Sequence, residues 1–139
     1  MKISKKAEYG LRAILYLART QKSKKITPLR EIAESEKVPF DFLEKIMSQL
    51  EKAGLVKAKK GSQGGYFLAK PAKKITPGDV VMVLEEGIAQ VHCFGCPMAG
   101  DCTSEDVWSE VQQSLDSSLN AATLADLIKK PNKKNGKKK

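Results

Sequence analysis

Apolar residues recur along this chain at helical spacing before any other pattern emerges. Ala7, Leu11, Ile14, Leu15 and Ala18 are three or four residues apart. They share one face of a helix that Ser4 can cap and that runs to about residue 19. A polar run over 20–25 closes it. Thr27-Pro28 then predicts a second helix start, a capping hydroxyl followed by proline at the first helical position. That helix must be short, because Pro39 disfavours helical geometry at Val38. A third spans about 40–53, with Leu43, Ile46, Met47 and Leu50 on its apolar side and Gly54 placed to end it.

The period then changes. Leu55-Val56-Lys57-Ala58-Lys59 alternates, Gly61-Ser62-Gln63-Gly64-Gly65 turns, and Tyr66-Phe67-Leu68 returns. This is a β-hairpin with a basic, glycine-rich tip. Two short helices, a longer one and then a hairpin outline a helix-turn-helix with a wing. Thr76-Pro77 repeats the cap-plus-proline signal and predicts a fourth helix to about residue 86, stopped by Gly87. Thr103 and Asp106 have capping-box spacing. They open a helix in which Val107, Val111, Leu115 and Leu119 recur every fourth residue, with Trp108 beside them. Thr123-Leu124-Ala125-Asp126 caps a last short helix. The expected fold is mainly α with a small β-hairpin wing: a winged helix-turn-helix head and a long C-terminal dimerisation helix. The expected division is 1–75 for the DNA-binding head, 76–128 for a cysteine loop and dimerisation helices, and 129–139 for a disordered, Lys-rich tail.

Charge follows the same division. Residues 1–75 carry 18 Lys/Arg against 7 Asp/Glu. Residues 76–128 carry none against 9, and residues 129–139 add 7 Lys. The first half is built to meet a polyanion, and double-stranded DNA is the leading partner. After a helix-turn-helix, a hairpin bearing Lys57, Lys59 and Lys60 is a candidate wing, with Ser62 and Gln63 at its tip. The acidic helix from about residue 103 is ill suited to nucleic acid. Its apolar stripe fits a second copy of the chain, giving a homodimer. The Lys-rich tail either adds salt-sensitive affinity for DNA or only solubilises.

No stretch approaches the roughly 20 apolar residues of a membrane span, and the N-terminus lacks the apolar core of a signal peptide. A cytoplasmic protein without a membrane partner is expected. All three cysteines, Cys93, Cys96 and Cys102, fall in one glycine- and proline-broken loop, and the sole histidine, His92, adjoins the first. An odd number of closely spaced thiols in a reducing compartment points to ligands or redox groups rather than disulfides. Thiolates are the usual ligands of iron–sulfur clusters, while three Cys and one His also satisfy zinc, and reversible thiol oxidation needs no metal. An enzyme finds little support: there is no second histidine, no phosphate-cradling glycine loop before a helix, and no nucleophile-plus-base set. No small-molecule substrate is expected.

Several segments together resemble the IscR/NsrR/CymR class of winged helix-turn-helix repressors and activators. They are Met1-Lys2-Ile3-Ser4 with Tyr9-Gly10-Leu11-Arg12-Ala13; Leu50 with Gly54-Leu55-Val56; Gly61 with Gly64-Gly65-Tyr66-Phe67-Leu68-Ala69-Lys70; Ile75-Thr76 with Asp79-Val80; Val107-Trp108; and Thr123-Leu124-Ala125-Asp126-Leu127. The resemblance reaches to about residue 129. It implies a homodimer whose long helices cross and whose heads enter the halves of a palindromic operator. It also implies, for many members, an iron–sulfur cluster in the loop before the dimer helix; others are thiol sensors or partners of a metabolic enzyme.

For DNA, a recognition helix reads bases with its N-terminal residues, here Pro39, Phe40, Asp41, Glu44 and Lys45. Glu44 matches a family position where an acid tunes operator choice; a plain solvated helix face is the alternative. Lys60 stands where members commonly carry an arginine that enters the minor groove, although lysine lacks the planar fork. Lys59 flanks it. Arg30, near the start of the second helix, is a phosphate-clamp candidate, whereas Lys25 reads as a solvated loop charge. For the cluster, Cys93, Cys96 and Cys102 supply three ligands, with a 2Fe–2S form expected ahead of 4Fe–4S. The first gap is tighter than the family's usual loop: two residues separate Cys93 from Cys96, and five separate Cys96 from Cys102. Where some members place a ligating histidine beyond the last cysteine, this chain has Glu105. The fourth ligand is then Glu8, at a family position where an acid reaches across from the partner subunit, or His92.

Overall fold

The computed structural model describes residues 3–85, 97, 100–101 and 103–129. The first helix, α1 (Lys5–Thr20), begins as its sequence requires, with the Ser4 hydroxyl accepting from the Ala7 N–H at 3.2 Å. Its buried positions are Ala7, Gly10, Ala13, Ile14, Leu17 and Ala18, while Leu11 and Leu15 are only half-buried. The buried face is therefore wider than a single stripe, because α1 packs against α2 (Leu29–Glu36), α3 (Phe40–Lys52), α4 (Pro77–Leu84) and α6 (Leu124–Lys129).

The three-residue turn between α2 and α3 is Lys37-Val38-Pro39. Lys37 takes a left-handed conformation (φ 56°), and the Val38 N–H donates to the Ala33 carbonyl at 3.0 Å. At the far end of α3, Gly54 (φ 83°) does the same with the residue type suited to it. The Gly54 and Leu55 N–H groups donate to the Glu51 and Leu50 carbonyls, both at 3.0 Å. This is the Schellman arrangement, closed by apolar contact between the flanking residues, here the buried Leu55 and Leu50.

One expectation fails at the start of α2. Thr27 is not its cap: Pro28 holds the N-cap position and α2 begins at Leu29. Thr27 is buried and joins Tyr66 in an antiparallel bridge instead. A ladder satisfies two of its backbone groups at once, whereas a cap would use only its hydroxyl. That hydroxyl lies 3.4 Å from the Thr20 hydroxyl.

The hairpin consists of β1 (Val56–Lys59) and β2 (Gly65–Leu68), with Val56 opposite Leu68 and Lys59 opposite Gly65. Only Val56 of these eight residues is fully buried, so the hairpin is rooted at one end and projects at the other. Gly65 is required by close approach: a Cβ there would fall on the Thr27 carbonyl and the Pro28 nitrogen.

A short 3-10 turn (Ala72–Lys74) leads to α4, where the expected Thr76 cap is one half of a capping box: the Thr76 hydroxyl accepts from the Asp79 N–H at 3.1 Å and the Asp79 carboxylate from the Thr76 N–H at 3.0 Å. It stops at Leu84, before the expected residue 86, because Glu85 is extended. The Glu85 carboxylate is taken by the Ser4 N–H at 2.7 Å, which fastens the exit of α4 to the entry of α1. The long helix α5 (Glu105–Leu119) starts with Ser104, not Thr103, in the N-cap position. Its final turn is pinned to α4, with the Thr76 hydroxyl donating to Asn120 Oδ1 at 2.5 Å. The last helix, α6, has its expected Thr123–Asp126 box and returns to the head, where Leu124 is fully buried and its N–H donates to the Ile75 carbonyl at 2.8 Å.

The change of charge sign at residue 75 is not a packing boundary. Val80, Leu84 and Leu124 share one core with Ile14, Ile32, Leu43, Ile46 and Leu50. Among the described helices, α5 alone has no buried residue. No described helix is long and apolar enough to cross a membrane.

Candidate nucleic-acid interface

Three elements bring the candidate DNA contacts to the surface. Arg30, in the first turn of α2, places its guanidinium 5.2 Å from the centre of the Phe40 ring. Cation–π contact of this kind restrains a side chain that would otherwise range freely. It couples the start of α2 to the start of α3, where Phe40 and Asp41 are exposed, followed by exposed Glu44 and Lys45. The first-turn N–H groups of α3 lack partners within the helix and favour anions.

The wing is the third element. Lys57, Lys59, Lys60, Ser62 and Gln63 are all exposed, as is Lys25. The Thr27–Tyr66 bridge ties the wing to the residue pair preceding α2, with bonds of 2.9 and 2.8 Å. The Tyr66 hydroxyl is raised above the usual phenol value by burial first, then by the negative charges of Glu51 and Glu44. Those carboxylates belong to α3, so the charge of α3 reaches the Tyr66 hydroxyl on the second wing strand.

At the opposite end of α2, Arg12 and Arg19 of α1 clamp Glu36, at 3.6 and 3.2 Å between charged atoms. Arg12 also donates to the Glu36 carbonyl. Cations there offset the negative end of the helix dipole and fasten the C-terminal end of α2 to α1. Lys24 and Tyr16 converge on Glu31 at 2.5 and 2.7 Å. These long-range ties, with the Thr27–Tyr66 bridge and the Arg30–Phe40 stack, escape sequence reasoning, because no local period links residues so far apart.

His92, Cys93, Cys96 and Cys102 lie outside the described residues. Among those that are described, no cluster of His, Cys, Asp and Glu could hold a metal ion. Glu8 is described: it lies in the first turn of α1, its side chain about half exposed, 3.8 Å from the Lys5 ammonium. It is one turn from Ser4, which holds Glu85, and the chain passes directly from Glu85 into the stretch that carries the cysteines. On α5, Val107 and Trp108 are 53 and 39 % exposed, and Met82 on α4 is 64 % exposed. Val107, Val111 and Leu115 line one side of an open trough with Glu110, Ser114 and Ser118.

A family model described as "Rrf2: Iron-dependent Transcriptional regulator" matches residues 3–130. The chain belongs to the Rrf2 family. Among relatives in this family, Protein rrf2 of Nitratidesulfovibrio vulgaris is 35% identical over 133 residues, which is 93% of this chain and 88% of that protein. CymR (YrzC), the global cysteine regulator of B. subtilis, superposes with a TM-score of 0.79 at 32% identity, over 95% of this chain and 99% of that one. IscR of T. potens gives a TM-score of 0.79 at 33% identity, over 100% of this chain and 94% of that one. This Rrf2-family protein is therefore a DNA-binding transcriptional regulator of the IscR/CymR type and not an enzyme. Its hairpin is the wing of a winged helix fold.

Proposed function

We propose that this regulator binds a palindromic operator as a homodimer and that a cluster held by Cys93, Cys96 and Cys102 controls its affinity. The observation that carries the DNA half is the continuity of the exposed surface. Arg30 stacks on Phe40, the residues preceding α2 are hydrogen-bonded to the wing, and Lys57, Lys59 and Lys60 extend that surface outward. Phosphate contacts from Arg30, Lys59 and Lys60 would set register, with Ser62 and Gln63 available at the wing tip. Phe40, Asp41, Glu44 and Lys45 would meet base edges. For the dimer, the stripe of exposed Val107 and half-buried Val111 and Leu115, on a helix with no buried residue, is a face awaiting a second copy.

Support for the cluster comes from donor chemistry. Three thiols in one short loop match the ligand type that iron–sulfur clusters prefer, and the family description names iron dependence. The residues present fit such a group if Glu8 or His92 supplies a fourth donor. A bound cluster would supply redox-, oxygen- and nitric-oxide-sensitive bonds. A Glu8 carboxylate, being a hard oxygen ligand, would be the weakest member of that set. The Ser4–Glu85 bond holds the first turn of α1 against the chain that enters the loop, so a Glu8 that ligates across the dimer would connect the cluster of the other subunit to that joint.

The deciding experiment is anaerobic purification, with visible and EPR spectra recorded alongside binding to duplex DNA, before and after air or nitric oxide. A coloured protein whose DNA affinity changes on bleaching, and whose Cys93→Ala, Cys96→Ala and Cys102→Ala variants are colourless, is the expected result. A colourless protein containing zinc, or one whose DNA affinity follows thiol oxidation alone, would replace the cluster with the second reading. If Glu8→Ala changes neither spectrum nor affinity, the fourth donor is not Glu8.

A further inference from the structure

A second surface is left without a role by DNA, dimer and cluster alike. Between the end of α1, the 3-10 turn and α6 runs an open trough floored by Ala18, Pro71, Ala72, Ala125 and Ile128. Its rim carries Arg19, Lys22, Lys73 and Lys129, and no carboxylate among the described residues lines it. Arg19 is engaged with Glu36. Lys22, Lys73 and Lys129 are exposed and have no ion-pair partner among the described residues.

We infer that this trough is a docking site for an acidic, amphipathic helical segment of another protein. Three features of the trough select that occupant. Its floor is mostly alanine, with Ala18 and Ala72 buried beneath it, so a helix backbone can approach closely and lay an apolar face on the surface left open by Pro71, Ala125 and Ile128. Its rim is cationic on the α1, 3-10 and α6 sides alike, which complements acids flanking an apolar stripe. It is open along its length, whereas small-molecule sites bury most of their ligand in a closed cleft. DNA is the less favoured polyanion, because a phosphate backbone leaves an apolar floor unused. The Lys-rich segment that follows Lys129 carries the same sign as the rim and would be repelled from it.

The test uses the full-length protein and a fluorescein-labelled synthetic peptide with Leu at helical a and d positions and Glu elsewhere. Its Gln-for-Glu counterpart serves as a control. Anisotropy should show saturable binding of the Glu peptide that weakens with salt, and at least tenfold weaker binding of the Gln peptide. Lys22→Glu/Lys73→Glu should weaken the Glu peptide at least tenfold. Lys59→Glu/Lys60→Glu, which removes the same charge from the wing, should leave it within about twofold. Equal weakening in both double variants would mean a non-specific charge effect and overturn the inference, as would no saturable binding to the wild type. Displacement of the peptide by duplex DNA from the Lys59→Glu/Lys60→Glu protein would assign the trough to DNA instead. Because the wing variants and the trough variants are separate, failure here leaves the DNA-binding assignment intact.

Discussion

Thr27 and Tyr66 exchange both of their backbone hydrogen bonds, at 2.9 and 2.8 Å, across the space between the start of α2 and the second strand of the wing. The pair converts a projecting two-stranded hairpin, which would be marginal by itself, into an extension of the helix-turn-helix. Gly65 is what lets the two backbones meet. Gly65→Ala should force them apart, costing roughly 1–3 kcal/mol as overpacking does. It should weaken duplex DNA binding more than the drop in stability alone explains. Urea denaturation and fluorescence anisotropy on the same variant check both effects; unchanged anisotropy would detach the wing from DNA binding.

The Lys37 backbone is left-handed, at a cost of roughly 1–2 kcal/mol for a residue with a Cβ. Lys37→Gly should therefore raise stability by about 1 kcal/mol, seen as a higher urea midpoint with an unchanged slope. Gly54→Ala, at φ 83°, should move the midpoint the other way by a similar amount.

Glu31 accepts from Lys24 and Tyr16, and those two bonds, Lys24's first, hold its carboxyl below the ordinary carboxylate range. A depressed pKa contributes stability that is present above the unfolded value of about 4.3 and is lost as pH falls through the folded value. The Tyr16 hydroxyl is raised, chiefly by its bond to Glu31, so its contribution holds below about pH 10 and fades above the folded value. The site is largely solvated, which keeps both effects small. Glu31→Gln should be slightly less stable than wild type at neutral pH, and the two unfolding midpoints should converge as pH falls through the lowered folded-state value of Glu31. A gap that does not narrow as the pH is lowered would contradict the ion-pair account.

Every phosphate charge that the wing no longer neutralises should lower the slope of log affinity against log salt by about 0.9. Lys59→Ala and Lys60→Ala are each expected to flatten that plot by roughly this much, and the double variant by roughly twice as much. Titration at several salt concentrations on any duplex reads the effect without knowledge of the operator.

Trp108 is the chain's sole tryptophan and is 39 % exposed in a single subunit. If α5 pairs with a second copy, its emission in solution should be blue-shifted relative to a monomer. Val111→Glu, a charge on the same stripe, should give a monomer by sedimentation together with a red shift. A dimer that survives this substitution would move the interface off α5.

The helices are legible in the sequence wherever a local signal suffices. Ser4, the Thr76–Asp79 box, the Thr123–Asp126 box and Gly54 each act within a few residues of their own position. Thr27 misleads because a residue nearly forty positions away offers it a better set of bonds than the adjacent helix does. The burial of Gly10, Ala13 and Leu17 is hidden in the pattern for a related reason: α1 is enclosed on several sides, so one apolar stripe understates it. The charged wing can be read from lysine spacing alone. Its attachment cannot, and neither can the stack of Arg30 on Phe40 or the basic trough at the end of α1.

At about 1.5 Å per residue, α5 is roughly 22 Å long, and its last turn is fastened to the head by the Asn120–Thr76 bond. The fastened end is a fulcrum. A swing of about 10° around Asn120 would carry Glu105, where the cysteine-bearing stretch ends, through roughly 4 Å while leaving the capped start of α4 in place. Leverage of that kind would make a sub-ångström adjustment at the Asn120–Thr76 bond equivalent to several ångströms at Glu105, and the same ratio would apply in reverse.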